Sequence, residues 1–206
     1  MQIVTKALNA EARRSERRRD GYTLGASALN AVESEFTVDE LSGLSGFKAE
    51  FARYKRIGQK ALDQTPDEVL NRVFATDNNS MAMVVRHISG NLISRFTDFL
   101  TSDGEKTWRN RDSEFDEVTY SRDQVEKMWN DAWTLLENEV NSLGAPDLEK
   151  RVLIRGEELS VFDALARSLA HTSYHVGQIV TLARITTGDK WESLSVPKKS
   201  GANENK

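Results

Sequence analysis

Residues 161–188 read VFDALARSLAHTSYHVGQIVTLARITTG, and this stretch decides the fold. Val161, Leu165, Leu169, Val176 and Ile179 recur at helical spacing, Ser160 stands where an N-cap belongs, and Gly188 stands where a helix stops. The stretch is therefore a long amphipathic helix. It also carries two of the chain's three histidines, His171 and His175, four residues apart and so on one face. With His171 at zero, His175 falls at about 40° and the apolar residues at about 80° to 160°, which sets both rings at the edge of the core-facing arc.

Working outward, three more segments repeat the pattern. Phe47, Phe51, Tyr54, Gly58 and Ala61 mark a first helix from residue 46. Thr65-Pro66-Asp67-Glu68 reads as a capping box opening a short helix through Phe74. Ser80 can cap a second long helix over about 81–101, with Val84, Val85, Ile88, Leu92, Phe96 and Phe99 on its apolar side. Ser121-Arg122-Asp123-Gln124 is another capping box, opening a helix from Val125 to Leu143 that Gly144-Ala145-Pro146 stops. Residues 149–160, EKRVLIRGEELS, suggest a small β-hairpin turning at Gly156 just before the last helix. The expectation is an all-α fold, a four-helix bundle over residues 46–198.

The flanks read differently. Residues 1–45 form an N-terminal extension, with five Arg between Arg13 and Arg19 followed by an aperiodic stretch. A solvated, partly disordered tail is the expectation. A polyanion anchor, a transit peptide and a misplaced start codon are the alternatives. Residues 199–206 read as a flexible C-terminal tail.

The 206 residues carry a net charge of −4 and no Cys. No whole-chain field favours nucleic acid or anionic membrane, and disulfides, thiolate metal ligands and a cysteine nucleophile are excluded. No run approaches a membrane span and no signal-peptide pattern opens the chain, so the expected location is cytoplasmic.

The third histidine, His87, lies on the second helix at the same kind of edge position as the other two. Two helices meeting along these edges would bring three imidazoles together. Such a trio suits Zn, Ni, Fe or Cu and leaves coordination positions open. Satisfied core histidines are the alternative. Asn91, one turn from His87, and Gln178, one turn past His175, could orient a ring or touch a ligand. Arg95 falls inside the apolar arc and needs a partner, for which Asp98 is the local candidate and an anionic substrate group the other. Trp108, Arg109, Arg111 and Asp112 sit in a loop whose guanidinium groups suit carboxylate or phosphate.

The segment HISGNLISRFTDFLTSDGEKTWRNRDSEF (87–115), with ALARSLAHTSYHVGQIV (164–180) and WESLSVPK (191–198), resembles the DinB superfamily of metalloenzymes, in a branch labelled a domain of unknown function. The resemblance covers about residues 47–198. It departs at Lys199, where the family pattern runs on into Gly. It implies a bundle of variant up-and-down topology, often dimeric, and a divalent metal, Zn or Ni, held at positions matched by His87, His171 and His175. It also implies activity as a transferase or isomerase using a low-molecular-weight thiol, whose thiolate the metal would bind. A small-molecule substrate follows, with neither nucleic acid nor membrane as partner. An apolar strip on the first helix would suit a homodimer. Metal-assisted hydrolysis ranks lower, because no Asp or Glu lies within one inward turn of any of the three histidines. A non-catalytic metal-binding or stress-related module and a plain bundle with incidental histidines complete the alternatives.

Overall fold

The computed structural model describes residues 42–195. The extension read over residues 1–45, apart from residues 42–45, and the tail at 199–206 lie outside them. Among the described residues, four α-helices and one hairpin make up the fold: α1 (Leu44–Gln64), α2 (Met81–Phe96), α3 (Arg122–Ser142), β1 (Arg151–Ile154), β2 (Glu157–Ser160) and α4 (Val161–Thr187). The expected helical bundle and the hairpin before its last helix are both present. No helix among the described residues is long and apolar enough to cross a membrane.

The caps explain the boundaries. Ser80 Oγ accepts from Met83 N (3.2 Å), Ser121 Oγ from Gln124 N (3.3 Å) and Ser160 Oγ from Asp163 N (3.0 Å), so α2, α3 and α4 each start where an orphan N–H finds an oxygen. Gln124 Oε1 closes the box by accepting from Ser121 N at 2.9 Å. Two expectations need correction. Thr65 does not cap a helix, because its hydroxyl donates backwards to Ala61 O at 2.8 Å, and only a single 3-10 turn, Asp67–Val69, follows. The second helix stops at Phe96 rather than near residue 101, because Thr97 is extended and Asp98 takes a left-handed φ of 49°. α1 begins at Leu44, two residues before the expected start, and Leu44 is fully buried.

α2 packs on α3, α1 on α4, α2 on α4, and α1 on α3. Around the bundle the order is thus α1, α4, α2, α3, and the sequence neighbours α1 and α2 lie across a diagonal, as do α3 and α4. Diagonal crossings need long connections, which the turns after α1 and the hairpin before α4 supply. Phe51, Leu62, Phe96, Trp129, Trp133, Leu136 and Leu165 fill the centre and are all nearly inaccessible. Each such side chain contributes about 1.5–3 kcal/mol by leaving water.

α2 is buried round most of its circumference, because the segment 97–121 folds back over the side that no helix covers, bringing the 3-10 turn Asp112–Phe115 against it. Its polar residues must therefore find partners inside the protein. Ser94 Oγ donates to Gly104 O at 2.7 Å, fastening that segment down. The hairpin is pinned to it as well. Arg155 and Gly156 form the two-residue turn with φ of 58° and 73°, and Asp103 accepts from both of their N–H groups at 2.9 and 2.7 Å.

Candidate metal centre

α2 delivers His87 and α4 delivers His171 and His175 to one point. One ring nitrogen from each lies within 4.8 Å of the others. His87 Nε2 and His171 Nε2 are 3.2 Å apart, and the ring centroids of His175 lie 4.7 Å from His87 and 4.5 Å from His171. Ligand nitrogens on a tetrahedral Zn ion, each bonded at about 2.0–2.1 Å, stand about 3.4 Å apart. The spacing suits a shared cation.

Proton placement strengthens the fit. His87 Nδ1 donates to Glu114 Oε2 at 2.8 Å and His175 Nδ1 donates to Gln178 Oε1 at 2.7 Å. Each of these rings then carries its lone pair on Nε2, the form a metal ligand takes. His171 Nδ1 is buried and finds no hydrogen-bond partner among the described residues. If its proton sits on Nδ1, two lone pairs oppose each other across 3.2 Å. If the proton sits on Nε2, a buried acceptor goes unpaired. The protein alone leaves a defect either way, and a cation between the rings removes the opposed lone pairs. Burial, together with the repulsion that a second or third proton in the cluster would meet, pushes His171 down to about 3. Burial also lowers His175, against the opposing hydrogen bond to Gln178. Both rings are neutral near pH 7, as ligands must be.

Glu114 is a residue of this cluster that the sequence did not disclose. It comes from the 3-10 turn, 27 positions from His87, and its side chain is only 7% exposed. Arg109 Nε donates to its Oε1 at 2.8 Å and Arg109 Nη2 to its Oε2 at 2.9 Å. Burial raises the Glu114 pKa, but the hydrogen bonds from His87 and Arg109 and the Arg109 charge outweigh it and hold the carboxyl below its ordinary value. The result is a carboxylate–histidine pair of the kind that fixes a ligand's ring and raises its basicity. Gly90, one turn after His87, makes room for it: a Cβ there would lie 2.3 Å from Glu114 Oε1. The available signal was a glycine in the middle of a buried helix, a costly choice that marks a close approach.

Eight of the residues singled out from the sequence line one cavity of about 570 Å³: the three histidines, Asn91, Arg95, Arg109, Arg111 and Gln178. Their roles differ in part from expectation. Arg109 is committed to Glu114, with a side chain only 2% exposed. Arg95 pairs not with Asp98, which is exposed beyond the helix end, but with Glu105, whose Oε2 accepts from Nη1 and Nη2 at 3.1 Å each. Arg111 is half exposed, lies over the Phe115 ring at 5.2 Å, and meets Asp112 at 3.4 Å. Trp108 stands out in solvent. Arg155 and Arg167 also line the cavity and were not anticipated, because only the closure of the hairpin onto the segment before Glu105 brings Arg155 there.

No curated protein matches the chain. A family match spans residues 41–200, which take in all four helices, the hairpin and every residue of the histidine cluster, and the chain accordingly belongs to the family described as "Protein of unknown function (DUF1572)".

Proposed function

We propose that this chain is a divalent-metal enzyme of the DinB type. His87, His171 and His175 would hold one Zn or Ni ion, and a low-molecular-weight thiol would be a reactant. The observation that carries the reading is the convergence of three imidazoles on a cavity of about 570 Å³, with two rings oriented by their own partners, Glu114 and Gln178. Three protein ligands leave coordination positions for an exogenous group, as catalytic rather than structural zinc sites do. A bound ion would supply Lewis acidity and lower the pKa of a thiol presented to it.

The chain's own residues fit a transferase better than a hydrolase. Hydrolysis calls for a general base beside the nucleophilic water. No Asp or Glu among the described residues lines the cavity, and both oxygens of Glu114 are taken by His87 and Arg109. Glu114 therefore holds His87 in place and is not free to accept a proton from water. A thiolate needs no such base once its proton is lost to solvent.

Elemental analysis of untagged protein tests the centre. About one divalent ion per chain is expected in the parent and little or none in His171→Ala. Equal metal in both would remove His171 from the site. Adding thiols to cobalt-loaded protein tests the reactant: a new thiolate-to-cobalt absorption band is expected, and its absence across several thiols would defeat the transferase reading.

A further inference from the structure

Five guanidinium groups line the same cavity as the histidines: Arg95, Arg109, Arg111, Arg155 and Arg167. Each has a carboxylate neighbour, yet none of those carboxylates lines the cavity. Glu105 serves both Arg95 and Arg155, Glu114 serves Arg109, Asp112 serves Arg111, and Glu157 meets Arg167 at 3.2 Å. Asp103, also near Arg95, accepts from the backbone N–H groups of Glu105, Arg155 and Gly156. The guanidinium groups line the cavity and the carboxylates do not, so the cavity wall is cationic even though the local count balances.

Two features mark this as built for a ligand. Three N–H groups, two from Arg95 and one from Arg155, converge on the single oxygen Glu105 Oε2, which holds both guanidinium groups at the cavity wall. The Asp103 clamp on the Arg155-Gly156 turn fixes the backbone from which Arg155 reaches. Independently, Arg109 Nη1 and Ser168 Oγ are buried polar atoms without a partner among the described residues, and both residues line this cavity. Arg109 is almost wholly buried and its other two donor nitrogens are spent on Glu114, so Nη1 is the donor left over.

We infer that the cavity binds the oxyanion group of a small acidic substrate, a carboxylate or a phosphate, through Arg95, Arg155 and Arg167, with Arg109 Nη1 as an inner donor. Guanidinium forks pair with both groups bidentately. As a substrate assignment this rests on the metal-centre reading; as anion binding it does not, and it can be measured on metal-free protein.

The test is calorimetric titration of succinate and, separately, inorganic phosphate into protein stripped with phenanthroline, an uncharged chelator. Saturable one-site binding of at least one probe is expected, and the better probe identifies the group. Losing one charged hydrogen-bond donor should weaken it about tenfold in Arg155→Gln and in Arg167→Gln. Both side chains are more than half exposed, so both variants should fold, which a thermal melt close to the parent's checks. Arg53→Gln, on α1 away from the cavity, should bind as the parent does. Two results would overturn the inference: no saturable binding of either probe, or binding that Arg155→Gln and Arg167→Gln weaken no more than Arg53→Gln. Anion binding in a protein that elemental analysis finds metal-free would refute the metal centre alone. Full metal occupancy without anion binding would refute only the anion site.

Discussion

Two glycines cut notches in this bundle, and their guests differ. At Gly58 on α1, a Cβ would lie 2.4 Å from the Trp129 indole, so the missing side chain admits a large apolar ring from α3. At Gly90 on α2, the guest is the Glu114 carboxylate. The first notch lies within the buried apolar core. The second brings a charge against a helix, where only His87 and Arg109 justify its burial. Orphaned polar atoms alone do not separate the two regions, since the indole N–H groups of Trp129 and Trp133 also find no acceptor among the described residues. What separates them is chemistry: at the second notch the orphans Arg109 Nη1, His171 Nδ1 and Ser168 Oγ share one cavity with three clustered imidazoles that could hold a metal ion.

Removing the polar guest should have the largest effect. Glu114→Ala leaves the Arg109 charge buried and unpaired, which costs about 3–5 kcal/mol. It also frees His87 to rotate, so metal should be lost at the same time. Urea unfolding and metal content should fall together in this variant, and a loss of stability with metal retained at parental affinity would deny Glu114 its orienting role. Filling the apolar notch comes next. Gly58→Ala forces a methyl into a fully buried indole and should cost about 3 kcal/mol, the upper part of the range for overpacked cores. Its metal stoichiometry should match the parent, because the damage lies in packing.

That comparison also marks what the sequence could disclose. The helices were legible because their caps act over three residues: Ser80, Ser121 and Ser160 each bond to an N–H just ahead. The histidine pair was legible for the same reason, being set by one helical turn, and the amphipathic arcs were enough to bring His87 to the same edge. Glu114 was not legible, because its bond to His87 depends on where a loop of irregular backbone lands. The same holds for Arg95, whose partner Glu105 lies beyond the end of α2 rather than one turn along it. Thr65 misled for a different reason: a hydroxyl that can cap a helix ahead can equally bond back to the one behind. Local signals decided the elements, and the long connections decided the site's outer partners.

Filling the polar notch sharpens the contrast further. In Gly90→Ala the new methyl pushes on Glu114 Oε1, the acceptor of Arg109 Nε, and the rigid carboxylate must move with it, drawing Oε2 away from His87 Nδ1. Metal affinity should fall about 10- to 100-fold, as when a ligand's orienting partner is removed. Global stability should fall less than in Glu114→Ala, because Arg109 keeps a carboxylate nearby and alanine regains about 1 kcal/mol of helix propensity over glycine. Competition with a chromogenic chelator, set beside a urea curve, separates the two quantities. An unchanged affinity would show that Glu114 can shift without disturbing His87.

The smallest effect belongs to the other orienting residue. Gln178 accepts from His175 Nδ1 at 2.7 Å, but it is neutral, half-buried and on the same helix as its histidine. Without it, water can accept the same proton, and the helix still points the ring inward from one turn away. Gln178→Ala should therefore weaken metal binding by about tenfold or less, at the low end for such partners. A drop as large as that in Glu114→Ala would mean that the neutral amide orients its ring as firmly as the buried carboxylate does. Charge and burial would then not be what ranks the two partners, and the distinction between the notches would reduce to the cost of stranding Arg109.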